Sequence, residues 1–220
     1  LMSESVKKWG PRIVWPLIYF TMFVLIVFAT VRTLEILNGA ALGDPGDFGP
    51  PPEFADRYYR HPLVSFIHMG TGILFLLFAP LQFSTKFRAK NLTLHRWVGR
   101  VLMTAGLVAG VTGVLAGIWL PAFGGFSTML GVWFFGIAII ICFLRSFWCA
   151  RNRMIPAHRE WIMRAFAIGL GVGTQRILIF IFMPFQLAPF DEIFGPLLWL
   201  GIAINLVVAE TWTNVTRKKR

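Results

Sequence analysis

The stretch WVGRVLMTAGLVAGVTGVLAGIWL, residues 97–120, decides what kind of chain this is. Beyond Arg100 it carries no charge, and Leu, Val, Ala and Gly dominate it. A helix needs about 20 mostly apolar residues to cross a hydrocarbon core about 30 Å thick, because it rises about 1.5 Å per residue. This run meets that requirement, and so do the runs 13–31, 62–83, 127–147, 161–185 and 193–213. The sequence therefore predicts an all-α integral membrane helical bundle: one transmembrane domain over 1–220 with six transmembrane helices. Composition agrees. Of 220 residues, 56% are hydrophobic and 14% charged, against about 25% charged in an average soluble domain. The first run exceeds the signal-peptide core of about 7–15 residues and no small-residue cleavage site follows it, so it is expected to be retained.

Charge predicts the orientation. With the N-terminus inside, the inner segments hold Lys7, Lys8 and Arg12, the basic residues from Lys86 to Arg100 and from Arg145 to Arg164, and the C-terminal basic cluster. That is 17 of the 21 basic residues; Arg32, Arg57, Arg60 and Arg176 remain outside, with seven of the ten acids. Lys and Arg gather on the cytoplasmic side of membrane proteins. Both termini are thus expected in the cytoplasm of a bacterial cell, with the bundle in its inner membrane. The formal charge of +11 follows from these interfacial clusters and does not describe a groove for nucleic acid, which is excluded as a partner. Cys142 and Cys149 fall near the cytoplasmic end of one span, without the C-x-x-C spacing of a redox or zinc site.

Two segments resemble each other. Phe83-Ser-Thr-Lys-Phe-Arg-Ala-Lys-Asn-Leu-Thr-Leu-His95-Arg96-Trp97 precedes Arg100, and Phe147-Trp-Cys-Ala-Arg-Asn-Arg-Met-Ile-Pro-Ala-His158-Arg159-Glu160-Trp161 precedes Arg164. Each runs from an aromatic helix end through a basic loop to His-Arg, Trp and a further Arg. Both begin on the inner side, so the expectation is a parallel repeat in which helices 2–3 correspond to helices 4–5. Basic residues and Trp also collect at any cytoplasmic interface, which leaves convergence as the alternative.

The segments His68-Met-Gly-Thr-Gly, Pro80-Leu-Gln-Phe, His95-Arg-Trp-Val-Gly-Arg100 and His158-Arg-Glu-Trp-Ile-Met-Arg164 resemble a bacterial family of multi-span inner-membrane proteins known as a domain of unknown function. The likeness covers about 62–176 and implies a helical membrane fold without implying an activity. A looser likeness is to the cytochrome b561 type of electron carrier, in which histidines on alternating helices ligate two b haems. That resemblance implies His95 and His158 as one pair of haem ligands. The partner position for His68 is Val132 in the repeat alignment, so a second haem lacks its pair.

Two candidate sites emerge. The inner one holds His95, His158, Arg96, Arg159, Arg100 and Arg164, where histidines can ligate a metal and arginines can bind the carboxylates of haem or the phosphates of anionic lipid. The outer one is built on His68 and Arg176, with Gln175 and Glu35 as companions and Thr174, Arg32 and His61 nearby. His68 lies about 9 Å below the outer surface and Arg176 about 8 Å below it, by helical rise. An arginine at that depth faces the protein interior, a partner or water. A structural ion pair with Glu35 or a loop acid is the alternative role. Glu210 is expected to neutralise Arg100 or Arg164.

Three function classes follow. The first is an electron-transfer component binding haem b or quinone; the second is a small-molecule transporter using the His68/Arg176 pocket. The third is an accessory subunit among other membrane subunits. The sequence has no H-E-x-x-H, no phosphate-binding G-x-x-x-x-G-K-[ST] and no pairing of nucleophile with base.

Overall fold

The structure is a computed structural model, which describes residues 4–39, 58–119, 123–186 and 188–217, with side chains from residue 10 onward. The described residues include six long helices and one short one: α1 (Glu4–Asn38), α2 (Pro62–Phe83), α3 (Thr85–Lys90), α4 (Leu92–Trp119), α5 (Gly125–Arg151), α6 (Ile155–Phe182) and α7 (Phe190–Thr216). A 3₁₀ turn, Met183–Phe185, ends α6. All six long helices are long and apolar enough to cross a membrane. Inside lipid, the backbone has no water to bond to, so a helix is the form that satisfies every N–H and C=O locally.

The helices run past the apolar segments because their ends are capped upstream. The Ser84 side chain accepts from Phe87 N at 3.2 Å, and Asn91 Oδ1 accepts from Leu94 N at 3.0 Å. Thus α4 starts at Leu92 rather than Trp97. A proline in the first turn of α6 likewise starts that helix at Ile155. His95, Arg96, His158 and Arg159 accordingly belong to first helical turns and not to the loops before them. Gly124, ahead of α5, has φ +83°, and a Cβ there would lie 3.0 Å from the Asp191 carbonyl oxygen. Conformation and space both call for glycine at that position.

α6 is the central element. It packs on α7, α5 and α1 and touches α2, while α2 pairs with α4 and α4 with α5. The α6–α7 seam is the closest: a Cβ on Gly171 would sit 2.9 Å from Ile202 Cα, and one on Gly201 would be 2.8 Å from both Gln175 N and Gly171 O. Small residues let membrane helices approach until dispersion does the work that the hydrophobic effect does in water. Midway, Phe75, Phe143 and Phe166 form an edge-to-face cluster, with centroids of Phe75 and Phe143 at 5.0 Å. The outer faces carry Leu17, Phe23, Phe126, Phe180 and Val207, all exposed, as a lipid-facing surface requires and a soluble one would not tolerate. α1 is mostly exposed and rests on α6 and α2.

Candidate functional site

A cavity of about 390 Å³ opens inside the bundle, within the usual range for ligand pockets. All six long helices contribute to its lining. Its walls are apolar and unusually poor in side chains: Gly72, Gly106, Gly110, Gly113, Gly117 and Gly169 are among the lining residues. Phe75 and Phe143 line it as well, and a Cβ on Gly106 would be 2.1 Å from Phe143 Cζ. Its polar groups come from Arg32, Tyr58, His68, Thr128, Gln175 and Arg176.

His68 is enclosed by the bundle yet accessible, since it faces this space. Its Nδ1 lies 2.9 Å from the Ala109 carbonyl oxygen on α4. The imidazole also sets its Nδ1 and Cε1 edge against Gly113, where a Cβ would be 2.9 Å from Cε1. The neighbouring Thr112 hydroxyl donates to Val108 O at 2.7 Å. Glycine at position 113 is therefore what allows the ring to reach the α4 backbone.

Arg176 sits one residue from Gln175 and donates to its Oε1 at 3.2 Å. Its guanidinium carbon lies 5.7 Å from the Phe28 ring centre and 5.1 Å from that of Phe194, a geometry in which the ring quadrupoles favour the cation. Gln175 is fully buried, and its Nε2 donates to Phe194 O at 2.8 Å, tying α6 to α7. Glu35 is buried and pairs with Arg32 at 2.7 Å; Arg32 in turn lies 4.9 Å over the Tyr58 ring. His68, Arg176, Gln175 and Arg32 thus line one cavity, and Glu35 supports it through Arg32. Thr174 and His61 go elsewhere: Thr174 accepts from Asn205 Nδ2 at 2.8 Å, and His61 stacks on Trp119.

At the other end the basic residues are engaged with protein. Arg164 makes a two-pronged pair with Glu210, Arg159 donates to Thr216 Oγ1 at 2.8 Å, and Arg217 meets Glu160 at 2.8 Å. These contacts tie α6 to α7. Of the two arginines expected for Glu210, Arg164 is its ion-pair partner, while Arg100 lies 5.2 Å over the Trp97 ring. His158 is clamped to α5: its Nδ1 lies 3.0 Å from Ser146 O and 2.9 Å from Ser146 Oγ, and Ser146 is completely buried. His95 stands at the same end, in the neighbourhood of Arg88, Arg96 and His158. Its ring meets Phe87 edge-on at 6.5 Å, and its Nδ1 is buried without a hydrogen-bond partner among the described residues. Arg96 is exposed. Among the described residues no group of three or more His, Cys, Asp or Glu gathers to hold a metal ion.

Tyr58, Thr128 and Ser146 were not singled out in the sequence. Thr128 and Ser146 interrupt a strongly apolar helix, a signal that points to buried partners. Tyr58 lies outside the apolar runs and gave no such signal.

The family model described as "Predicted membrane protein (DUF2306)" matches residues 65–213, more than half of the chain, and the chain belongs to that family. The match spans both histidine-bearing ends and all of the cavity-lining residues from His68 to Ile202. No curated protein and no solved structure matches.

Proposed function

We propose, with that family of membrane proteins as the premise, that the chain binds a quinone-type ligand inside the bundle and serves as an electron-transfer component. The observation that carries this reading is the cavity itself: apolar, glycine-lined walls with His68 and Arg176 at its polar groups. An isoprenoid tail has the shape and polarity of such walls. A ring oxygen would find an arginine that supplies a fixed charge and several donors, and a histidine ring nitrogen able to form a hydrogen bond. The opposite end supports a haem reading less well, because Arg159, Arg164 and His158 are already committed to Thr216, Glu210 and Ser146.

The test uses the purified chain in lipid nanodiscs. Trp133 and Trp199 abut the cavity glycines Gly117 and Gly131, so a short-tailed benzoquinone should quench tryptophan fluorescence on binding. Arg176→Met should weaken that binding by tenfold or more, about the worth of one charge-assisted hydrogen bond. Unchanged affinity in this variant overturns the assignment.

The bundle is oriented with both termini and its basic end in the cytoplasm of the bacterial inner membrane, where Arg88, Lys90 and Arg96 attract anionic lipid. The 17-to-4 division of basic residues supports this. Reporter fusions after residues 89 and 152 should read cytoplasmic and a fusion after residue 48 should read external. One reversed fusion removes the orientation.

A further inference from the structure

We infer that the cavity selects the reduced, hydroxyl-bearing form of its ligand over the oxidised, carbonyl-bearing form, and that His68 Nε2 makes the selection. The inference rests on the quinone-type reading above and adds a polarity to it. A backbone carbonyl can only accept, so Nδ1 at 2.9 Å from Ala109 O must carry the proton. The second neighbour agrees. The Thr112 hydroxyl proton is directed to Val108 O at 2.7 Å, so at 3.5 Å its oxygen also presents a lone pair to Nδ1. Neutral imidazole has one N–H. With it fixed on Nδ1, Nε2 holds a lone pair and acts only as an acceptor.

Turning the ring over would put Cδ2 in the place of Nδ1 and forfeit the hydrogen bond to Ala109 O. The ring's Nδ1 and Cε1 edge lies against Gly113, and Nε2 is the farthest of the three atoms from that contact. Nε2 has no hydrogen-bond partner among the described residues, and His68 faces the cavity. A ligand hydroxyl donates to that lone pair; a carbonyl oxygen in the same place would meet it lone pair to lone pair. The backbone of α4 has thereby written a donor requirement into an apolar cavity.

The experiment is calorimetric titration of the full chain in nanodiscs with a short-tailed benzoquinol under anaerobic conditions, and with the corresponding benzoquinone. The quinol is expected to bind about tenfold more tightly, the difference that one hydrogen bond of ~1.4 kcal/mol makes. His68→Phe should bring the two affinities together, and so should His68→Gln, whose amide can turn to donate or to accept. Equal binding of the two forms by the wild-type chain overturns the role of His68 alone. A preference that survives in His68→Phe overturns it as well. Failure of both forms to bind overturns the quinone-type reading itself. A Soret absorption band that disappears in His68→Phe would make Nε2 an iron ligand and replace the quinol.

Discussion

The α6–α7 seam and the wall of the cavity contrast. Toward α7, glycines bring backbones into contact: a Cβ on Gly171 would overlap Ile202 Cγ1 at 2.2 Å. Polar groups on that side are matched in pairs, Arg164 with Glu210, Arg159 with Thr216, Gln175 Nε2 with Phe194 O. Toward the cavity the same kinds of residue are arranged to leave space. A Cβ on the cavity-lining Gly72 meets only Ala109 Cβ at 3.9 Å, and His68 bonds α4 with one nitrogen while facing the cavity. Glycine and buried polarity therefore do not by themselves mark a site. At Gly72 the space opened by glycine is not refilled by a neighbour, whereas at Gly106 and Gly113, which also line the cavity, Phe143 and His68 fill it.

The largest effect expected from breaking this contrast is on folding. Gly171→Leu drives a side chain into Ile202, whose Cα lies 2.9 Å from the new Cβ. Backbone cannot move aside as a flexible side chain would, so the loss should reach the upper end of the roughly 1–3 kcal/mol typical of overpacking. Gly72→Ala on the cavity side should cost nothing. Alanine exceeds glycine in helix propensity by up to about 1 kcal/mol, and the cavity has room for a methyl group. Thermal melting of both variants in detergent checks the pair. Equal destabilisation would mean that the α6–α7 seam and the cavity wall at Gly72 do not differ in packing.

Much of this bundle was legible from the sequence, because a spanning helix imposes a one-dimensional requirement: about 20 apolar residues in a row. The apolar runs at 97–120 and 161–185 lie within or close to α4 and α6. Helical rise also places His68 and Arg176 at one depth, and both line the cavity. Other features depend on contacts between helices, which spacing along one helix does not reveal. Ser146 as the clamp of His158 is one. Another is the choice of Arg164 over Arg100 for Glu210, which turns on α6, not α4, lying beside α7. The His-Arg pairs likewise look equivalent in sequence, yet His158 is bonded to α5 whereas the Nδ1 of His95 is buried beside Phe87 with no partner.

The smallest expected stability effects sharpen the contrast most, because they set two arginines of the same helix against each other. Arg164→Met removes the partner of Glu210, leaving a carboxylate that was held by two hydrogen bonds. The Glu210 side chain is 41% exposed, so water recovers part of its solvation and the cost should be about 1 kcal/mol rather than the several expected for a fully buried pair. Arg176→Met removes a donor to Gln175 Oε1, but Gln175 keeps its bond to Phe194 O. Methionine can also pack against Phe28 and Phe194, where sulfur–aromatic contact replaces part of the cation's attraction. If Arg176 serves the ligand and not the bundle, the variant's melting temperature stays close to that of the wild type while benzoquinone affinity falls. The expected pattern is reciprocal: Arg164→Met destabilises and still binds, and Arg176→Met binds poorly and remains stable. Measuring melting and quinone affinity on both variants decides it. A destabilised Arg176→Met that retains full affinity would show that Arg176 holds the bundle together and is no part of the binding site.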